Sequence, residues 1–269
     1  MTKKEKELFK YIEEYYNSHP GDYMELDALV YVPVDKQFDY VGATMQNLFL
    51  AIKNNVSFTK EGNIEFLEAY KKRDFVTCRI ILEDLYKHAY FAFTLSWKDA
   101  PKRLNRKILM PVRSSVGDLM YAALAAFRTD AYHLVNISKN NVSFRSFLED
   151  INDFPLRHVK EVYADNYPLF VLFNENNLTL EYDYGDDWLF SIRKRKPVYL
   201  KNEDYPYVIV QGGNGYGIYE DNRYDLYQYI CGEDVELPFN FEELDLEELK
   251  KSVNPMFVLI KNGYFGLNE

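Results

Sequence analysis

Cysteine is scarce in this sequence, and the usual marks of secreted and membrane proteins are missing. The chain has only two cysteines, Cys78 and Cys231, which excludes a framework of several disulfide bonds and favours a reducing compartment. Its first residues are charged and no apolar core follows them, so no signal peptide is predicted. No apolar run approaches the roughly 18 residues that span a bilayer. We therefore expect a cytoplasmic protein with no membrane partner.

Basic residues are in the minority, because 42 acidic side chains outnumber 32 lysines and arginines and give a net charge of −10. The imbalance is concentrated in residues 201–269, which carry 14 acidic and 5 basic side chains. Residues 97–200, in contrast, carry 13 acidic and 15 basic side chains. Binding to a nucleic-acid duplex requires concentrated lysine and arginine, so this balance disfavours duplex DNA or RNA. The opposite signs of the two segments favour pairing within the chain or with a protein partner.

Apolar and aromatic residues are plentiful, at 47% and 17% of the chain, which is enough for a sizeable core. Up to about residue 87 the apolar residues recur at helical spacing, apart from a short predicted strand at Ala28–Val34. From Phe91 to Trp97 the period changes to two, which is the period of a strand. The sequence therefore predicts an α+β fold, with a helical N-terminal region (1–87) followed by a mixed or antiparallel sheet domain with packed helices (88–269).

Local signals subdivide the second region. A second strand is predicted over Leu104–Met110, and Ser115, with an acidic residue three positions later, predicts the start of a helix. Two alternating runs flank the turn signal Gly185–Asp187 and predict a hairpin. A last helix is predicted to begin at Asp245, and a short terminal strand is predicted over Met256–Ile260.

Four sequence blocks follow one another in a recognisable order. They are Arg106–Leu134 with three interruptions, Leu180–Trp188, Gly212–Gly217 and Phe241–Leu249. Together they resemble the plasmid pRiA4b ORF-3-like family over about residues 88–260. The resemblance implies an α+β fold with helices on a mixed sheet and an association with mobile genetic elements. It implies no defined activity, because the family is largely uncharacterised.

The candidate pocket draws on two of these blocks. Its residues are Asp130, His133, Asp183, Gly185, Asp186, Asp187 and Trp188. In a functional interpretation the three aspartates of the turn are oxygen ligands for Mg²⁺ or a similar ion, and His133 is a general base or a further ligand. In a structural interpretation the aspartates close a tight turn and the histidine satisfies backbone groups. We favour the structural interpretation, so no metal ligand is assigned, and catalytic residues and cofactors stay unknown.

Glycines and basic residues supply two further candidate sites. Gly213, Gly215 and Gly217 form a candidate anion loop between a predicted strand and helix, although a simple turn is favoured. Two basic runs are Lys102, Arg103, Arg106 and Lys107 on one strand, and Arg193–Lys196 on another. If these strands are neighbours, the runs form one positive surface suited to single-stranded nucleic acid or to an acidic partner.

These features support three hypotheses of different classes. The first is a non-enzymatic interaction or accessory module with a protein partner, because the sequence has charge segments of opposite sign and no recognised catalytic motif. The second is a metal-dependent hydrolase that uses Asp183, Asp186 and Asp187. The third is a module that binds single-stranded nucleic acid through Arg193–Lys196. The reaction, the oligomeric state and the role of residues 1–87 stay open.

Overall fold

The computed structural model describes residues 38–100, 104–146, 159–172, 178–201, 205–218, 220–237 and 244–263, with side chains from Thr44 onward. The predicted strand at Ala28–Val34 and the first predicted helix lie outside these ranges. The described residues up to Ala89, with Pro197–Lys201, form one compact unit, and the others form a second. Separate domains at 1–87 and 88–269 stay a prediction. Among the described helices, none combines the length and apolarity that a bilayer span requires.

The first unit is helical, as its apolar stripes predict. Its helices are α1 (Phe38–Lys53), α2 (Ile64–Lys71) and α3 (Phe75–His88). The ring of Phe49 contacts that of Phe66 edge-on, with the centroids 5.8 Å apart. Leu48, Ile52, Cys78, Leu82 and Leu85 are fully buried. Helical spacing places each of these residues on one face of its helix.

A mixed sheet dominates the second unit. Among the described residues it has eight strands, in the order β5-β4-β3-β6-β7-β1-β2-β8. Their bounds are β1 Ala89–Trp97, β2 Asn105–Pro111, β3 Val135–Lys139, β4 Val142–Arg145, β5 Lys160–Tyr163, β6 Leu178–Tyr182, β7 Trp188–Tyr199 and β8 Ile209–Asn214. Strands β4 and β5 run parallel, while the β1–β2, β2–β8, β3–β4, β3–β6 and β6–β7 pairs are antiparallel. The predicted α+β class is confirmed.

The change of apolar period near residue 90 is also confirmed, because β1 covers Phe91–Trp97. The predicted hairpin is formed by β6 and β7, which are in register from Leu178 opposite Ile192 to Tyr182 opposite Trp188. Alternate side chains of both strands are buried on one face. This alternation fixes the register, since a slip of one residue would turn the apolar set towards solvent.

Helices α4 (Val116–Phe127), α5 (Arg223–Cys231) and α6 (Leu246–Lys261) complete the unit, with short 3₁₀ turns at Ala164–Asn166 and Leu169–Leu172. Every residue of α4 is buried, and α4 packs against both α6 and the sheet. The predicted capping box at its start is confirmed. The Ser115 hydroxyl accepts from the Asp118 N–H at 2.8 Å, and the Asp118 carboxylate accepts from the Ser115 N–H at 2.9 Å.

The predicted terminal strand over Met256–Ile260 is wrong, because α6 continues through Pro255 to Lys261. The Asn254 side chain binds both the N–H and the carbonyl of Val208, each at 2.8 Å, and so anchors the helix to the segment that enters β8. A stripe of buried side chains runs along the helix: Leu249, Val253, Phe257 and Ile260. Burial of this stripe outweighs the one backbone hydrogen bond that Pro255 cannot make.

The strands that carry the two basic runs are not neighbours, because β1 lies between β2 and β7. Lys102 and Arg103 lie outside the described residues.

Arg106 is not a surface residue: it is 0% exposed. Its guanidinium donates to the carbonyl oxygens of Ala126, Asn105, Asn214 and Tyr216, at 2.7–3.0 Å. A sequence pattern cannot distinguish this buried arginine from an exposed one, since three of its four acceptors, those of Ala126, Asn214 and Tyr216, come from other segments of the chain.

Candidate functional site

Three loops of the second unit meet around His133. The histidine lies in the loop between α4 and β3, Asp183 begins the β6–β7 turn, and Glu220 and Asp221 precede α5. We call His133, Asp183, Glu220 and Asp221 the histidine cluster. The His133 Nδ1 atom is 3.6 Å from Asp183 Oδ1. The Nε2 atom is 3.4 Å from Asp221 Oδ1 and 3.9 Å from Glu220 Oε2.

A metal ion could be held here, because ligand atoms of His133, Asp183 and Asp221 all lie within 4.8 Å of one another. Each loop also contains a non-glycine residue with left-handed backbone: Ala131 (φ 57°), Asp183 (φ 55°) and Asp221 (φ 58°). Aspartate tolerates this conformation better than most residues, and alanine does so only at a cost. Such backbone is often found at functional sites.

The carboxylate of Asp183 is fixed by its own turn. Its Oδ1 accepts from the N–H groups of Gly185 and Asp186, at 3.1 and 3.4 Å. Its own N–H donates to the Leu134 carbonyl at 3.1 Å, which ties the turn to the loop of His133. The side chain is 7% exposed. Asp183 therefore closes the hairpin and faces the histidine at the same time.

Only one of the two carboxylate oxygens of Glu220 accepts hydrogen bonds among the described residues. Its Oε1 accepts from the Tyr182 hydroxyl at 2.7 Å and from the Asp130 N–H at 2.6 Å. Its Oε2 is buried and has no hydrogen-bond partner among the described residues. Burial raises the pKa of Glu220, while the bonds from Tyr182 and Asp130 act in the opposite direction. Burial also raises the pKa of Tyr182, and the neighbouring Glu220 adds to this.

The remaining residues of the predicted pocket make contacts within the turn and with neighbouring elements. The Asp186 carboxylate accepts from the N–H of Arg223 at 3.1 Å, in the first turn of α5. Trp188 is fully buried and its ring lies 4.9 Å from that of Trp97. Asp187 has left-handed backbone and its N–H donates to the Asp183 carbonyl at 2.8 Å. Asp130 contributes to the cluster through its backbone N–H, which donates to Glu220, and a metal role for Asp186 and Asp187 stays a prediction.

Sequence reasoning missed Glu220 and Asp221. It counted them only as part of the acidic segment 201–269. The available signal was their position, since two acidic residues stand between the glycine block Gly212–Gly217 and the start of α5 at Arg223. Only the tertiary fold brings this pair to His133, which lies about 90 positions earlier in the chain.

The glycine block has a packing reason in the structure. A Cβ on Gly213 would lie 2.7 Å from the Asn105 carbonyl oxygen, and one on Gly217 would lie 2.9 Å from that of Phe127. Gly213 belongs to β8, and α5 begins six residues after Gly217. The block therefore does not lead directly into a helix N-terminus, which was the arrangement expected of an anion loop. Anion binding by Gly213, Gly215 and Gly217 stays a prediction.

Comparison with known proteins gives one family match. The family model described as plasmid pRiA4b ORF-3-like protein matches residues 89–229, a range that contains the whole histidine cluster. Among solved structures, this chain is similar to the crystal structure of a protein of unknown function, MM3350 from Methanosarcina mazei Go1. The two share 20% identity with a TM-score of 0.43, over 50% of this chain and 74% of that one. No curated protein matches the chain.

Proposed function

This chain belongs to the plasmid pRiA4b ORF-3-like family, and we propose that its family domain binds a divalent metal ion at the histidine cluster. The observation that carries the proposal is the geometry: three carboxylates from two loops lie 3.4–3.9 Å from the ring nitrogens of one histidine on a third. Three carboxylates around one imidazole leave an excess of negative charge, which a divalent cation offsets. A mixed nitrogen and oxygen set suits Mn²⁺, Fe²⁺, Co²⁺ or Zn²⁺ better than Ca²⁺ or Mg²⁺.

The activity that this arrangement supports best is metal-dependent hydrolysis. Asp221 is 76% exposed and His133 is 32% exposed, so an ion bound between them would be open to water and to a substrate. A divalent ion with an open position lowers the pKa of a bound water and can polarise a carbonyl or phosphoryl oxygen. The chain would supply the ligands, and the buried Tyr182–Glu220 pair beneath them would keep one carboxylate in place.

The first prediction concerns His133. We expect Mn²⁺ or Zn²⁺ to raise the melting temperature of the wild-type protein, because a ligand that binds only the folded state stabilises it. His133→Ala should weaken metal binding about 100-fold or more, since even residues beyond the ligand shell are worth roughly 10–100-fold. Isothermal titration calorimetry measures both affinities.

The matched control is His88→Ala. His88 also faces a carboxylate, that of Asp84 at 3.8 Å, but it lies on α3, outside the family domain. This variant should bind the ion like the wild type. Equal loss of affinity in both variants, or no binding by the wild type at millimolar metal, would contradict the proposed site.

A second candidate function is a non-enzymatic interaction or accessory module, working in the cytoplasm and associated with mobile elements. The observation that favours it is a basic strip on β7: Arg193, Arg195 and Lys196 are exposed. Among the described residues, none of the three pairs with a carboxylate. Concentrated positive charge on a surface strand can bind an acidic protein segment or a single strand of nucleic acid.

Charge removal tests this strip. We expect Arg193→Ala/Arg195→Ala to weaken binding of a labelled polyglutamate peptide at least about fivefold, and the wild-type binding to weaken with salt. Fluorescence anisotropy measures both effects, with Lys250→Ala/Lys251→Ala on α6 as the control of equal charge. Tighter binding of a single-stranded oligonucleotide would identify nucleic acid as the partner instead. Wild-type binding that both variants leave unchanged would contradict a role for the strip.

A further inference from the structure

We infer that the ion binds His133 at Nε2 and takes Glu220 and Asp221 as its carboxylate ligands, whereas Asp183 orients the imidazole from Nδ1. This inference rests on the proposed metal binding and assigns a role to each of the four side chains of the histidine cluster. It makes Glu220, a largely buried residue outside every sequence-predicted site, a direct ligand. It also moves Asp183 from the ligands to the residues that position them.

The two nitrogens of His133 have different surroundings. Nδ1 faces one carboxylate oxygen, that of Asp183 at 3.6 Å, while Nε2 faces two, of Asp221 at 3.4 Å and of Glu220 at 3.9 Å. A metal-binding histidine uses one nitrogen for the ion and commonly donates the N–H of the other to a carboxylate. Ligand atoms about 2.0–2.2 Å from one ion lie about 3–4 Å apart. The distances from Nε2 to the Asp221 and Glu220 oxygens both fall in this range.

The carboxylate of Asp183 already accepts hydrogen bonds within the β6–β7 turn. The oxygen that faces His133 Nδ1 is the same Oδ1 that accepts the N–H groups of Gly185 and Asp186. Such an oxygen is fixed in position and partly satisfied, as expected of a group that orients a histidine ligand. The left-handed backbone of Asp183 and its N–H bond to the Leu134 carbonyl hold it beside the histidine loop.

The carboxylate of Glu220 differs from that of Asp183 in its hydrogen bonding. Its side chain is only 10% exposed, yet Oε2 finds no hydrogen-bond partner among the described residues. An unsatisfied buried carboxylate oxygen is costly, and a site with such an oxygen requires an explanation. Because Oε1 is anchored by Tyr182 and by the Asp130 N–H, Oε2 is aimed at the space in front of His133 Nε2. A cation there would satisfy it.

Asp221 completes the arrangement from the solvent side. Its carboxylate is 76% exposed, so it can adjust to the ion and leaves the outer coordination positions to water. One nitrogen and two carboxylates from the protein, with open positions, form the ligand set of a catalytic rather than a structural centre. The inference therefore specifies a borderline divalent ion such as Mn²⁺, Co²⁺ or Zn²⁺.

Titration with Co²⁺ separates ligands from orienting residues, because its visible absorption reports the ligand set. We expect Glu220→Gln and Asp221→Asn each to change the spectrum of bound Co²⁺ and to weaken binding about 100-fold. Asp183→Asn should weaken binding about 10-fold and leave the spectrum unchanged, because residues beyond the ligands contribute roughly 10–100-fold. Asp221→Asn lies at the surface, so its result does not depend on the packing of Glu220.

The outcomes separate this inference from the proposed function. If His133→Ala abolishes Co²⁺ binding while Glu220→Gln and Asp221→Asn keep the wild-type spectrum and affinity, the ligand assignment is wrong and metal binding stands. If Asp183→Asn changes the spectrum and Glu220→Gln does not, the two carboxylates have exchanged roles and the inference is overturned. If the wild-type protein binds no Co²⁺, the proposed function itself fails.

Discussion

Arg106→Leu is expected to destabilise the protein by about 3–5 kcal/mol, a large fraction of the free energy of unfolding of a typical domain. The guanidinium is 0% exposed and donates to four backbone carbonyl oxygens. It also lies 4.9 Å from the centre of the Phe127 ring. Leucine fills a similar volume but donates nothing, and each buried carbonyl left unsatisfied costs about 1–3 kcal/mol.

The position of these acceptors explains the size of the effect. They belong to β2, the end of α4 and the glycine block, so Arg106 joins three segments that are distant in sequence. Burial lowers the pKa of its guanidinium to about 9, and the nearby Arg128 contributes in the same direction. The arginine therefore remains charged at pH 7, where charge-assisted hydrogen bonds are stronger than neutral ones.

Urea unfolding measures this effect as a lower midpoint with an unchanged slope. Arg106→Lys should recover little of the loss, because an ammonium cannot reproduce the planar fork of donors. Arg193→Leu on β7 is the control, and it should change the free energy of unfolding by no more than about 0.5 kcal/mol because the side chain is exposed. A loss of less than about 1 kcal/mol for Arg106→Leu would show that water replaces the guanidinium.

Arg145→Met is the second substitution with a large expected effect, again about 3–5 kcal/mol. Arg145 and Glu161 are 1% and 6% exposed and form an ion pair between β4 and β5. The guanidinium binds Glu161 Oε1 through Nε at 2.8 Å and through Nη2 at 2.5 Å. Its Nη1 donates to the Tyr184 hydroxyl at 2.7 Å. Removing the arginine takes the ion-pair partner away from a buried carboxylate, and breaking a buried ion pair in this way is strongly destabilising.

A double-mutant cycle distinguishes the cost of a lone charge from the net contribution of the pair. We expect Arg145→Met/Glu161→Met to be at least about 2 kcal/mol more stable than Arg145→Met, because well-packed apolar side chains often replace a buried ion pair without loss. The exposed pair Arg79–Glu83 on α3 provides the comparison, and Arg79→Met should cost no more than about 1 kcal/mol. Equal losses in the single and double variants would mean that Glu161 is satisfied without Arg145.

The fold follows from the sequence wherever local physics decides the structure. The helical stripes of α1, α2 and α3, the capping box at Ser115 and the hairpin about Gly185 each depend on residues a few positions apart. The predicted strand over Met256–Ile260 failed because burial of a long helical stripe decides the structure of this segment. Arg106 was placed on the surface because its type is usually exposed. Its burial depends on carbonyl groups more than 100 positions away.

In the candidate site too, the local features could be predicted from the sequence and the tertiary contacts could not. His133 and Asp183 belong to family blocks, and the hairpin whose turn contains the aspartates was predicted from the alternating runs on either side. Their contact with each other, and with Glu220 and Asp221, depends on the pairing of β3 with β6 and on the position of the loop before α5. No periodicity or spacing encodes that convergence. The orphaned Oε2 of Glu220, which argues most directly for a cation, is visible only in three dimensions.

Anomalous X-ray diffraction from crystals grown with Mn²⁺ or Zn²⁺ tests metal binding at the histidine cluster most directly. We predict one strong anomalous peak about 2.0–2.3 Å from His133 Nε2 and from carboxylate oxygens of Glu220 and Asp221. The side chain of Asp183 should keep its contact with Nδ1. Crystals with no peak at the cluster, or with ions only at surface carboxylates elsewhere, would contradict the account.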